Sequence, residues 1–209
     1  IMSACKEAVI ISAARTPSCR VQGLLKGCTA PELGAIAIKE AVKRSGVSAD
    51  QIDEVIMGCV VQAGIGQAPA RQAALKADLP PEVSALTINM VCGSGLRAVA
   101  LASQAVQLGD AEYVVAGGME SMSNIPYALQ TAREGFRMGN QTATDLMIHD
   151  GLWCPFENWH MGNTGEVVAE KYQIGRESQD DFAYHSHRKA FESQQAGRFA
   201  DEIVPIEIP

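Results

Sequence analysis

Four short apolar runs punctuate the first half of the chain: Ala8–Ala13, Glu54–Val60, Ala85–Met90 and Glu112–Ala116. None alternates strictly between apolar and polar residues, which is the pattern of strands covered on both faces. Helical periodicity fills the gaps between them. Thr29-Ala30-Pro31-Glu32 offers a capping box with Pro in the first turn; Leu33, Ile36, Ala37 and Ala41 share one face, and Gly46 is a stop. A second helix is predicted from Pro69 to Asp78 and a third from near Gly95 to Gly109. Alternating strands and helices predict an α/β layer structure, with a mostly parallel mixed sheet and helices on both faces.

The third helix is unusual. Between Leu96 and Leu108 its one charge is Arg97, and Leu96, Val99, Leu101, Val106 and Leu108 point in different directions around it. A helix that is apolar all round is buried all round. Two readings stay open: an Ala-rich helix lying on a sheet with modest exposure, or a helix whose outer side is covered by a further layer.

After Gly118 the texture changes. Residues 119–165 scatter Met119, Met122, Met138, Met147 and Met161 among Gly, Asn and Thr with no sustained period, and read as an excursion lobe outside the core. Ser178-Gln179-Asp180-Asp181 predicts the cap of a helix lasting to Gly197. Glu202–Ile208 follows as an edge-type strand, because Pro205 cannot donate to a ladder. The organisation predicted is an α/β core over residues 1–118, then a loop lobe with a long helix and a terminal strand over 119–209.

Composition narrows the function classes. A chain of 209 residues, 47% of them hydrophobic, buries roughly 70% of its unfolded surface, enough for one sizeable core. The net charge of −7 comes with no basic patch, which argues against a nucleic-acid partner. No membrane association is predicted either. The uncharged stretch Val83–Leu96 is too short to span and contains Ser84, Thr87, Asn89 and Ser94. Lys6 and Glu7 precede a run leading straight to Arg15, unlike a signal peptide. Cys5, Cys19, Cys28, Cys59, Cys92 and Cys154 are too sparse for a disulfide scaffold and show no zinc-knuckle spacing. His185 and His187, two apart on a helix, point away from each other. These features fit a reducing, cytoplasmic setting.

One segment carries chemistry. Leu86-Thr87-Ile88-Asn89-Met90-Val91-Cys92-Gly93-Ser94-Gly95-Leu96 runs from a strand through a tight turn into a helix. Unpaired N–H groups and the positive dipole end at a helix start favour a thiolate by about 0.3–1 kcal/mol. A base must still supply part of the activation. From spacing alone Cys92 stands equally as a nucleophile and as an inert apolar residue. The other five cysteines read as inert buried hydrophobes. A third reading is a dinucleotide loop, because Gly93–Ala98 fits G-x-G-x-x-A; its acidic partners would be Asp110 or Glu112, which precede the next strand instead of ending it.

Asn89-Met90-Val91-Cys92-Gly93-Ser94-Gly95, Gly109-Asp110-Ala111-Glu112 and Gly117-Gly118-Met119-Glu120-Ser121-Met122-Ser123 resemble the thiolases. The similarity runs through the chain in order. It includes Ala13–Pro17, Gly58–Gly64, Gly66–Gln72, Arg137-Met138-Gly139, Asp145-Leu146-Met147, Asp150-Gly151-Leu152 and His160-Met161-Gly162. The resemblance implies one half of the family's five-layer αβαβα fold, and that layering explains an apolar helix after Cys92.

It further implies that Cys92 accepts an acyl group, with its backbone N–H in the oxyanion hole. Leu152, His160 and Met161 would border the acyl and pantetheine pocket. The implied reaction is acetyl transfer and Claisen condensation of two acetyl-CoA to acetoacetyl-CoA and CoA, or the reverse thiolysis. The coenzyme A thioester is the substrate, and no cofactor, metal or prosthetic group is implied. A homodimer through Ala85–Met90 and a tetramer through residues 119–145 follow from the same resemblance. Longer-chain 3-ketoacyl-CoA thiolases and other condensing enzymes are the near alternatives; a dinucleotide-binding domain and a non-catalytic assembly module are the distant ones. The family's Gly-His-Pro, Cys-x-Gly-Gly and Asn-Glu-Ala-Phe motifs, which carry its proton-handling groups, do not occur here. The chain is therefore expected to be a nucleophile-bearing N-terminal half, inactive alone.

Overall fold

A computed structural model describes residues 6–208; Cys5 lies outside them. The centre is a parallel sheet of β1 (Glu54–Gly58), β2 (Ser84–Ile88) and β3 (Val114–Gly118) in the order β2-β1-β3. Glu54 pairs with Ser84 on one side and Val114 on the other, and Gly58 with Ile88 and Gly118. Three helices pack on it: α1 (Ala30–Ser45), α2 (Pro69–Lys76) and α3 (Ser94–Leu108). The path from β1 to β2 and the path from β2 to β3 run in opposite directions along the sheet. Two crossovers of the same hand must then place their helices on opposite faces. They do: α2 joins α1 on one face, and α3 lies on the other.

Strand alternation divides the core accordingly. Val55 and Met57 face α1 and α2 and pack with Ile38, Ala70, Ala73 and Ala74; Ile56 faces α3 and packs with Ala98 and Ala102. Small residues on both helices let them sit close to the sheet. The start of α1 is as predicted, with the Glu32 carboxylate accepting the Thr29 N–H at 2.9 Å and Gly46 closing the helix in a left-handed conformation.

Several expectations need correction. Ala8–Ala13 forms no strand and has no ladder partner among the described residues, and Val9 and Ile10 are 71% and 80% exposed. Ser12 Oγ donating to the Ala41 carbonyl (2.7 Å) and Arg44 donating to the Ala13 carbonyl (3.2 Å) hold it. The strand expected at Glu112–Ala116 begins two residues later. The Asp53 carboxylate accepts the Glu112 and Tyr113 N–H groups at 2.7 and 3.0 Å, which fixes them as a turn before the ladder. Glu202–Ile208 contributes a single parallel bridge, Ile203 to Arg15, and stops before Pro205.

α3 is not buried all round. Ser94, Ala98 and Ala102 form its buried line, while Leu96 and Leu108 are 77% and 75% exposed. No described element covers that side.

Beyond the sheet, two small antiparallel pairs form: β4 (Tyr127–Ala128) with β5 (Thr144–Asp145), and β6 (Trp153–Cys154) with β7 (Trp159–His160). Met119, read with the lobe, is buried in the main core against Gly34, where a Cβ would come within 2.7 Å of its sulfur. A short helix not foreseen, α4 (Asn163–Lys171), precedes α5 (Arg176–Gln195). The α5 cap is Gly175, not Ser178; Arg176 pairs with Asp180 across the first turn at 2.7 Å.

Candidate active site

The carboxyl ends of the three strands converge where the strand order reverses, the usual location of a ligand crevice in an open α/β sheet. Asn89, Cys92 and the start of α3 follow β2, Cys59 follows β1, and Glu120 follows β3. Glycines make this convergence possible. A Cβ on Gly58 would lie 2.5 Å from the Ser94 Cβ, and one on Gly118 would lie 3.3 Å from the Gly95 Cα. The first turn of α3 therefore rests directly on the ends of β1 and β3.

Cys92 is exposed, two residues before the first helical residue. The turn that carries it is heavily braced. The Ser94 hydroxyl, buried, donates to the Val91 carbonyl at 2.6 Å and accepts the Met90 N–H at 2.8 Å. Asn89 Oδ1 accepts the Val91 N–H at 2.9 Å, and Asn89 Nδ2 donates to the Val60 carbonyl at 3.1 Å. Val91 itself sits at φ +49°, a left-handed conformation that is costly for a β-branched residue, on the order of 1–3 kcal/mol. The Gly93, Ser94 and Arg97 amides donate to Met90, Val91 and Gly93 carbonyls. The Cys92 N–H has no acceptor among the described residues, and α3 has no side-chain cap. Among the described residues the Cys92 amide is thus left as a donor of the kind an oxyanion site uses.

Glu120 supports the same corner from below. Its carboxylate accepts the Val60 N–H at 2.8 Å and the Val61 N–H at 3.4 Å, with the Cys59 sulfur 3.9 Å away. Burial pushes its carboxyl above the ordinary value, outweighing the downward pull of the two amides. The same burial, with the Glu120 charge adding to it, pushes the Cys59 thiol up to about 12. Cys59 is the inert buried residue expected; Cys28 and Cys154 are half-buried, and Cys19 is exposed, contrary to expectation.

The structure brings Leu152, His160 and Met161 together. Leu152 ends a π-helical turn, Met147–Leu152, that leads into β6, and the Met161 N–H donates to the Leu152 carbonyl at 2.7 Å. His160 Nδ1 accepts the Gly162 N–H at 2.9 Å. Gly151 lies against Val61, where a Cβ would come within 3.3 Å of the valine methyl, so this hairpin adjoins the carboxyl end of β1. No described hydrogen bond joins it to Cys92. His149 pairs with Asp150 and His185 with Asp181. A cleft of about 370 Å³ over the start of α1, lined by Thr29, Glu32, Val61 and Gln72, does not include Cys92.

A dinucleotide loop does not fit. Asp110 and Glu112 precede β3, at the amino edge of the sheet and away from the Gly93–Ala98 turn, and Glu120, beyond β3, spends its carboxylate on the Val60 and Val61 amides. Asn89, Ser94 and Glu120 stand within the sequence motifs with no role that the sequence assigns them. An Asn three residues before a turn nucleophile, and a lone acid in an apolar run, were the signals available.

Residues 8–209 match the family described as thiolase, N-terminal domain, and the chain belongs to the thiolases. Among curated relatives, the acetyl-CoA acetyltransferase of Cupriavidus necator is 56% identical over 203 residues, covering 97% of this chain and 52% of the relative. That of Pseudomonas aeruginosa is 52% identical over 204 residues, covering 98% of this chain and 52% of the relative. The Acat5 thiolase of Ascaris suum, solved in complex with coenzyme A, superposes with a TM-score of 0.92 at 37% identity, covering 96% of this chain and 52% of that one. The fold is the thiolase α/β fold, and the chain spans about half the length of the relatives it matches.

Proposed function

We propose that these residues carry the nucleophile of an acetyl-CoA C-acetyltransferase. The Cys92 thiolate attacks the acetyl-CoA carbonyl carbon, and the developing oxyanion is held by the Cys92 N–H and neighbouring donors. Coenzyme A leaves as its thiol after taking up a proton, and the acetyl group remains as a thioester on Cys92. A second acetyl-CoA, deprotonated at its methyl, attacks that thioester; acetoacetyl-CoA departs and the Cys92 thiolate is regenerated. Thiolysis is the reverse. Leu152, His160 and Met161 border the acyl and pantetheine chain.

The observation that carries this reading is the exposed Cys92 on its braced turn, with its amide unpaired among the described residues. Acetyl-CoA acetyltransferase relatives above 50% identity support the acetyl substrate. The proton transfers are assigned to groups outside these 209 residues, since no described hydrogen bond joins a histidine to Cys92. The 209 residues alone then accept acetyl slowly and do not turn over. The scheme calls for no metal or prosthetic group. Edge strand β2 is the proposed dimer contact, and residues 119–145 the tetramer contact. No described helix is long and apolar enough to cross a membrane, and the cytoplasm is the proposed location.

Rapid mixing with acetoacetyl-CoA and coenzyme A tests the scheme. In the full-length protein, Cys92→Ala is expected to abolish both acetyl-CoA formation and the pre-steady-state burst. Wild-type turnover by that variant would overturn it.

A further inference from the structure

Two bonds from one side chain join the nucleophile turn to the loop that follows β1. Asn89 Oδ1 holds the Val91 N–H at 2.9 Å while Asn89 Nδ2 holds the Val60 carbonyl at 3.1 Å. The Val60 N–H, on the other side of the same residue, is held by Glu120 at 2.8 Å. A continuous polar chain thus runs from Glu120 through Val60 and Asn89 to Val91, the residue before Cys92. Its end point is the left-handed Val91, at φ +49°. A strained conformation persists only where its surroundings over-determine it. The Asn89 acceptor is one such determinant, because an Asx turn fixes the amide two residues on. Released, Val91 relaxes toward negative φ and rotates the Cys92 amide and sulfur away from a common target.

We propose that Asn89, anchored by Glu120 through the backbone of Val60 and Val61, is the positioning residue that sets the direction of the Cys92 thiol and N–H. This rests on Cys92 being the acyl acceptor. Asn89 does not touch the reacting atoms; it acts through the backbone of Val91. The consequence is a loss in the rate of the covalent step with substrate binding unchanged.

The test uses the full-length protein with Asn89→Ala, Asn89→Ser and Cys92→Ala, active sites being counted by acetyl incorporation at saturation. Asn89→Ala is expected to lower kcat per active site about tenfold, equivalent to about 1.4 kcal/mol of barrier, with KM within about twofold. The iodoacetamide rate at Cys92 should fall in parallel at every pH from 6 to 9, about tenfold. Asn89→Ser, whose hydroxyl closes the same turn more weakly, should recover part of both rates. Wild-type kcat and alkylation rates per active site in Asn89→Ala, or loss confined to the count of active sites, would overturn the proposal. Failure of the underlying reading is distinct: it appears as turnover by Cys92→Ala, whatever Asn89 does.

Discussion

Gly58 and Ser94 meet with no room for a β-carbon between them: a Cβ on Gly58 would lie 2.5 Å from that of Ser94 and 2.8 Å from its carbonyl carbon. This contact seats the nucleophile turn on the sheet. Gly58→Ala must push α3 outward, and overpacking of this kind costs about 1–3 kcal/mol. Chemical denaturation should show that loss. Acetyl loading of the folded fraction should also slow, because Cys92 moves with the helix. Unchanged stability and loading would mean that α3 shifts freely and that the close approach is incidental.

The thiols separate by environment. With burial and Glu120 raising Cys59 to about 12, that residue stays protonated through neutral and mildly alkaline pH. Brief iodoacetamide treatment at pH 8, followed by peptide mapping, should modify exposed Cys92 and Cys19 and leave Cys59 untouched. Modification of Cys59 at a comparable rate would show that the β1 corner opens readily.

Two carboxylates give opposite pH signatures. Asp53 is held below its ordinary value by the Tyr113 and Glu112 amides. Its contribution is present above the unfolded value, about 3.9, and is lost as pH falls through the folded one. Asp53→Asn should therefore lose stability at neutral pH and flatten the acid limb of a Tm-versus-pH curve. Glu120 is raised by burial, so its charge costs stability at neutral pH and that cost vanishes as protonation sets in below its folded value. Glu120→Gln, which keeps an acceptor for the Val60 N–H, should match or exceed the wild-type Tm at pH 7, with the difference disappearing near pH 4. A Glu120→Gln variant that is less stable at pH 7 would mean that charge, not shape, holds the two amides.

The bare side of α3 bears on the 209-residue chain itself. Leu108 is 75% exposed and belongs to neither core cluster. Leu108→Lys should leave stability within about 0.5 kcal/mol while reducing self-association measured by light scattering. A loss of more than about 2 kcal/mol would show that the residue is packed within the chain.

Where local chemistry decides, the sequence was legible. Thr29 with Glu32 set the start of α1, Gly46 and Gly109 ended α1 and α3 in left-handed caps, and apolar runs without alternation marked β1 to β3. Cys92 was identified from the strand-turn-helix pattern around it. What was lost depends on partners far along the chain. Val9 and Ile10 look like strand residues because apolarity reports a need for burial, not the presence of a neighbour. Met119 reads as lobe because the space for its sulfur is left by Gly34, 85 positions away. The roles of Asn89 and Glu120 were hidden for the same reason: each acts on Val60, which belongs to a different strand connection.

The central claim concerns which atom takes the acetyl group. Incubating the full-length protein with acetyl-CoA, quenching in acid and mapping peptides by mass spectrometry reads this directly. The account predicts a hydroxylamine-labile acetyl group on Cys92 that forms within a turnover and leaves when coenzyme A is added. Acetyl found on another residue, or turnover with Cys92 unmodified throughout, would contradict it.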